Sequence, residues 1–267
     1  MSERQILTET LAPEPAHALA ALLDLDPLPD DRLPPMWHWV YLLDRRPHRE
    51  LGPDGHPLVG VPTPPGPGMR RMFAGGRVTT HGVLRLGVAT TRTTRVLRSE
   101  EKSGRSGPLT FVTVGHEISQ HGRVLVTDEQ DIVYRAPGSA LRPSPAPEQA
   151  AAARPMLTLD VDEAFLFRFS ALTYNAHRIH YDRAYVREEG YDDLVVHGPL
   201  QALMMTELYR RHGVDLVGRV FGYRLVAPMT GPQRMVVAAE AAGLDSGVRT
   251  LSEHGVLTAT ANLTATG

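Results

Sequence analysis

No cysteine occurs in the 267 residues, which excludes disulfide scaffolds, thiolate metal centres and cysteine nucleophiles together. Neither sign of charge is in excess: 28 basic residues stand against 30 acidic ones, so composition offers no electrostatic footprint for nucleic acid. No apolar run approaches the roughly 20 residues that a membrane-spanning helix needs. The opening Met1-Ser-Glu-Arg-Gln5 lacks an apolar signal core, so a cytoplasmic protein is the expectation. Two catalytic signatures are missing as well. The sequence holds no Gly-x-Ser-x-Gly elbow and no Glu-containing zinc-protease motif.

What is present divides the chain into two similar halves. Residues 10–24 read as a short helix started near Pro15. A second helix is expected over 33–43, with Pro34-Pro35 at its start and both tryptophans in it. Residues 52–69 are rich in proline and glycine and read as a long loop, a kind of segment that is often functional. Four strand-like runs follow, at 78–86, 91–99, 109–119 and 124–134, with short connections that suggest an antiparallel meander. Residues 137–155 are rich in Pro, Ala and Ser and make the best linker in the chain. After it come an expected strand at 161–170, a polar loop, a helix at 198–212, and strands near 217–227, 233–242, 247–252 and 256–264. The plan is therefore α+β. Each half, 1–136 and 156–267, carries a buried helix wrapped by a curved antiparallel sheet, and the two sheets are expected to join edge to edge.

The densest chemistry lies in Phe169-Ser-Ala-Leu-Thr-Tyr-Asn-Ala-His-Arg-Ile-His-Tyr-Asp182 and in Val195-Val-His-Gly-Pro-Leu200. The alternating run 165–170 reads as a strand that delivers a His-rich loop. Gly198 opens a helix whose first N–H groups face side chains able to move protons. Each of these residues has a plainer reading. His180 would serve equally as a loop histidine bonded to a backbone carbonyl, Asn175 as a turn asparagine, and Asp182 as a helix N-cap. The His177-x-x-His180 spacing with His197 would suit a metal.

These stretches resemble the MaoC-type (R)-specific enoyl-thioester hydratase and dehydratase family, through Phe169, Ser170, Leu172, Thr173, Ile179, His180, Asp182, His197 and Gly198. The N-terminal half is similar to the partner half of fused double hot-dog members, in the mesaconyl-C4-CoA hydratase branch. Leu51-Gly-Pro-Asp-Gly-His56, Met69-Arg-Arg-Met-Phe-Ala-Gly-Gly-Arg77 and Lys102-Ser-Gly-Arg-Ser-Gly107 carry that likeness. The resemblance implies a double hot-dog fold, no metal and no cofactor. It implies a hydro-lyase acting on an acyl-CoA or acyl-carrier-protein thioester, with a homodimer of double hot-dogs in view. His180 is then the expected general base and Gly198 the oxyanion donor. Asn175 stands where the family has its catalytic Asp, and would orient water. His177 stands at the family's Asn and Arg178 at its Pro. His177, Arg178 and His197 are expected to face the substrate, with Arg178 reading a second carboxylate of a dicarboxylic acyl group. Arg70, Arg71, Lys102 and Arg105 are expected to meet the carrier's phosphates. Pro34-Pro35 offers no N–H at the first helix start, so catalysis is expected from the C-terminal half alone. A non-catalytic thioester-binding hot-dog protein is the reading from another class, and a fatty-acid-type 3-hydroxyacyl dehydratase is a third.

Overall fold

The structure, a computed structural model, describes residues 4–66, 69–104, 107–136, 146–147 and 155–266. Its strands are β1 (Arg4–Thr10), β2 (Arg70–Thr80), β3 (Ala89–Gly104), β4 (Gly107–Gln120), β5 (Arg123–Arg135), β6 (Met156–Val161), β7 (Arg219–Leu225), β8 (Gln233–Glu240), β9 (Gly243–Leu251) and β10 (Leu257–Ala265). They form one ten-stranded sheet in the order β1-β3-β4-β5-β2-β7-β10-β9-β8-β6. Every pairing is antiparallel, and β2 beside β7 joins the two halves, with Gly76 opposite Tyr223 and Val78 opposite Phe221. Apart from that seam, β1–β5 pair only with one another, and so do β6–β10. This is the double hot-dog fold, in which each five-stranded sheet curls over helical segments. Among the described residues, no helix is long and apolar enough to cross a membrane. Most of the expected linker lies outside the described residues.

The helices are α1 (Pro13–Leu22), α2 (Glu163–Thr173), α3 (Arg183–Glu188) and α4 (Gly198–Arg211). The central one is α4, in which every residue from Leu200 to Tyr209 is buried. Its buried Glu207 accepts a hydrogen bond from Trp37 Nε1 at 2.9 Å and pairs with Arg210 at 2.7 Å. A buried carboxyl group needs such partners, and here one of them comes from the N-terminal half.

Two sequence-based expectations are corrected. The run at 165–170 is not a strand but the middle of α2. Asp162 caps that helix by accepting a hydrogen bond from Phe165 N at 2.7 Å. Phe165, Leu166, Phe169 and Ser170 are its buried residues, a helical stripe, while Phe167 is 67% exposed. The aromatics at 165, 167 and 169 imitate a period of two, but only the period of 3.6 accounts for which of them is buried. The helix expected over 33–43 shrinks to a single 3₁₀ turn, Trp37–Val40, entered through Met36 at φ 69. Long-range bonds decide its shape: Trp37 reaches Glu207, and Trp39 Nε1 donates to Asp128 at 2.7 Å. Tertiary anchoring overrides the weak local preference for helix.

Candidate active site

The loop between α2 and α4 builds the site around His180. The His180 Nδ1 lies 2.6 Å from the carbonyl oxygen of Val195. A carbonyl can only accept, so Nδ1 carries the proton and Nε2 is left with its lone pair. His197 stacks on this ring, with centroids 3.6 Å apart and planes 18° apart, and bonds Ser170 Oγ through Nε2 at 2.8 Å. Burial pushes His180 down to about 4, and it holds His197 well below the usual imidazole range. Both rings are therefore neutral near pH 7. Beside His180 the chain enters α4. The first N–H groups of a helix have no intrahelical partner. Pro199 has none to offer, so Gly198 presents the leading donor. A Cβ at position 198 would press on the Leu225 Cδ1 methyl and close on Phe73, so glycine leaves this corner open.

A second group reaches the same place from the N-terminal half. Residues 51–57 close a tight turn through a bridge between Leu51 and Pro57. Asp54 accepts hydrogen bonds from both His56 N and His56 Nδ1, each at 3.0 Å. Bonding to His56 holds the Asp54 carboxyl below its ordinary range, against the effect of burial. The His56 ring lies 4.0 Å from that of His177, and His177 lies 5.6 Å from His180, edge to face. Four imidazoles thus run in sequence from Asp54 to Ser170. Burial is the main cause that lowers His56 and His177; the Arg71 cation lowers both further.

Three of these rings, those of His56, His177 and His180, border a cleft of about 1710 Å³ between the halves. His56, His177, His180, Asn175, Gly198 and Arg71 all line it. Its apolar wall includes Phe73 and Trp39, which pack edge to face with centroids 6.3 Å apart. Further along, Arg92 borders the cleft, its guanidinium destabilised by burial and supported by Asp44 and Asp128.

The other sequence-based candidates scatter. Asn175 Oδ1 accepts from His177 N at 2.9 Å, so it shapes the turn while still bordering the cleft. Asp182 is an N-cap, accepting from Ala184 N and Tyr185 N, and not a partner of His180. His197 is fully buried beneath His180 and is absent from the cleft lining, so it supports that ring and does not face substrate. Arg178 does not line the cleft either. Its guanidinium grips Asp182 at 2.6 Å, covers the Tyr185 ring at 4.4 Å and donates to Pro53 O at 3.1 Å. The reading of Arg178 as a carboxylate sensor is therefore replaced: it ties the 51–57 turn to the His-rich loop. Arg70 is paired with Glu189 at 2.8 Å, and Lys102 sits near Glu100 at 3.3 Å and over Phe111. Arg105 lies outside the described residues. Of the four expected phosphate ligands, Arg71 alone is placed in the cleft lining.

The sequence reading missed Asp54 and His56 as chemistry. A signal was available. A carboxylate two residues before a histidine, on a Pro- and Gly-rich loop, is the pattern of a locally oriented imidazole.

A histidine of fixed tautomer and the N–H at a helix start thus line one cleft. The chain belongs to the hydroxyacyl-thioester dehydratase type 2 family, which matches residues 36–231, and it is a hydro-lyase of acyl-thioesters. It is 49% identical to the mesaconyl-C(4)-CoA hydratase of Chloroflexus aurantiacus over 223 residues, 80% of this chain and 79% of that protein. The fold recurs in HtdX from Mycobacterium tuberculosis, at a TM-score of 0.68 with 15% identity, covering 97% of this chain and all of that one. A second Mycobacterium tuberculosis protein with a double hotdog fold superposes at a TM-score of 0.55 with 17% identity, over 99% of this chain and 97% of the other.

Proposed function

We propose that the chain hydrates the Cα–Cβ double bond of a short, branched dicarboxylic enoyl-CoA of the mesaconyl-C4 type. The observation that carries this is Arg71. It is a cation on the cleft lining, close enough to His56 and His177 to lower both. In a mesaconyl-C4 thioester the free carboxylate is bonded to the carbon that water attacks. A cation beside the histidines would meet it there, and a guanidinium suits a carboxylate better than an ammonium does. His180 Nε2 accepts a hydrogen bond from the attacking water. The Gly198 N–H faces the thioester oxygen, where negative charge gathers as the enolate forms.

The test follows the conjugated enoyl-thioester absorbance with mesaconyl-C4-CoA, itaconyl-CoA and crotonyl-CoA. Preference for a dicarboxylic ester in kcat/KM is the expected result, and equal or better turnover of crotonyl-CoA would sink it. A second reading, a dehydratase of longer linear 3-hydroxyacyl thioesters, is favoured by the cleft volume of about 1710 Å³, more than a five-carbon acyl group fills. Rising kcat/KM with chain length in the same panel would select it.

A further inference from the structure

Adding water to an enoyl-thioester leaves one proton to be held between attack on Cβ and protonation of Cα. His180 is badly placed to hold it. Its Nδ1 faces the Val195 carbonyl, and an imidazolium there would be a buried cation with no facing carboxylate. Asn175 does not titrate. His177 and His197 are buried among other imidazoles. His56 differs from all of these. It lines the cleft while Asp54, which does not, stands behind its Nδ1 at 3.0 Å. A proton taken at Nε2 would thus be balanced by an ionised carboxylate on the far side of the ring.

The docking of the loop is built, not incidental. Arg178 N donates to Asp54 O at 2.9 Å, and the Arg178 guanidinium donates to Pro53 O. Gly55 sits at φ +88 against Ala176, where a Cβ would overlap the carbonyl oxygen. Three contacts therefore fix the turn of the N-terminal half onto the catalytic loop of the other.

We infer that the Asp54–His56 pair is the proton-carrying half of this active site, with His56 a catalytic residue and Asp54 its positioning residue. The inference rests on the hydro-lyase reading of the same cleft. His56 Nε2 takes one proton from water as the oxygen bonds to Cβ. The Cα–Cβ π pair moves toward the thioester carbonyl, whose oxygen is held by Gly198 N–H. The imidazolium then returns that proton to Cα, and the carbonyl reforms. The second water proton, held by His180 Nε2, stays on the product hydroxyl, so only water is consumed. The groups that face His56 and set its proton affinity are Asp54, Arg71, His177 and His180.

The experiment compares the full chain with His56→Ala, His56→Gln and Asp54→Asn on mesaconyl-C4-CoA and crotonyl-CoA. Both His56 variants should lose about 10²–10⁴-fold in kcat. Added imidazole should restore part of the rate to His56→Ala. Asp54→Asn should lose less, and should move the acidic limb of kcat/KM to lower pH, because the carboxylate that raises the His56 proton affinity is gone. His56→Ala/Asn175→Asp should recover rate over His56→Ala. Wild-type kcat in folded His56→Gln overturns the inference, as does a loss without imidazole rescue and with an unmoved pH limb. A divalent ion held by Asp54, His56 and His177, whose donor atoms lie within 4.8 Å of one another, is the other overturning outcome. It would show as activity abolished by a chelator and restored by zinc. If the wild type hydrates no enoyl-CoA, the functional reading falls and takes this inference with it. If it does hydrate and the variants match it, the inference alone falls.

Discussion

The two halves of the sheet have the same five-stranded plan and different interiors. In the C-terminal half the 14-residue α4 runs through the core and brings Gly198 to the cleft. The N-terminal half has the 10-residue α1 and a four-residue 3₁₀ turn in its interior. Its buried tryptophan is spent on Glu207 of the other half's helix. The difference teaches what a pair of fused hot-dogs permits. One half keeps a long buried helix whose N-terminus opens on the cleft. The other, released from that requirement, reaches across the seam with a loop and supplies charge and imidazole from the opposite wall.

Within the half that holds the helix, the largest expected effect falls on His180 and matches that expected for His56 in the other half. His180→Ala should cost about 10²–10⁴-fold in kcat, since it removes the acceptor that aligns the water. Asn175→Ala, whose side-chain oxygen is committed to His177 N, should cost far less. Were Asn175→Ala the slower enzyme while still folded, the division of roles between these two residues would be wrong.

The arginines separate the contributions of the halves more finely. Removing one partner of a desolvated charge pair costs about 2–5 kcal/mol. Arg71→Met should therefore lower kcat/KM for mesaconyl-C4-CoA by about 30-fold or more, and leave crotonyl-CoA turnover unchanged or raised. Arg178→Met should act without regard to substrate. It unties the 51–57 turn from the His-rich loop, so both esters should lose equally and Tm should drop. A selective loss in Arg178→Met, measured on the same two esters, would return the carboxylate-reading role to that residue.

The fold was legible because strands and turns announce themselves locally. The runs expected at 91–99, 109–119 and 124–134 and the C-terminal strands near 217–264 lie within a few residues of β3–β5 and β7–β10, whereas the run expected at 78–86 overlaps β2 only at 78–80, because β2 starts earlier, in the Met69–Arg77 stretch. The strand read over 165–170 failed because alternating aromatics mimic a pleat, and nothing local says that Phe167 is left outside. The candidate site was half legible. His180 and Gly198 sit together at the cleft, because one loop and the helix it feeds carry both. His56 was hidden by distance: about 120 residues separate it from His177 in sequence, and only the β2–β7 seam and the turn at Gly55 bring them together. Arg178 was misread because an arginine beside a proposed base draws the eye to substrate, while its fork was already filled by Asp182 one helical turn on.

The turn at Gly55 can be broken by one methyl group. Gly55→Ala demands a left-handed backbone from a residue with a Cβ and drives that Cβ into the Ala176 carbonyl. The expected cost is about 1–3 kcal/mol, taken up locally by undocking of the turn. The kcat should then fall for both esters while the C-terminal core keeps its protection in hydrogen exchange. A variant with wild-type kcat would show that the turn is not needed where it lies.

The last effect is one of pH on stability, and it weighs the halves against each other. In the C-terminal half His177, His180 and His197 are buried neutral, with His180 at about 4; in the N-terminal half His116, likewise buried, is also at about 4. In the unfolded chain each histidine titrates near 6.5. Between those values the unfolded chain binds protons that the native state refuses, so stability is whole above about pH 6.5 and drains as pH falls toward about 4. Each such histidine contributes about 1.4 kcal/mol per pH unit inside the window. With His56 of the N-terminal half, which burial also lowers, three of five such rings are in the C-terminal half, so acid should open that half first. Hydrogen exchange at pH 5 should show protection lost in α4 and β8 before β4 and β5. His116→Gln should flatten the slope of stability with pH by one histidine's share, without touching the order in which the halves open. If the N-terminal strands exchange first, the imidazole column is not what sets the acid limit, and a different set of buried charges, Asp128 and its partners foremost, must be carrying it.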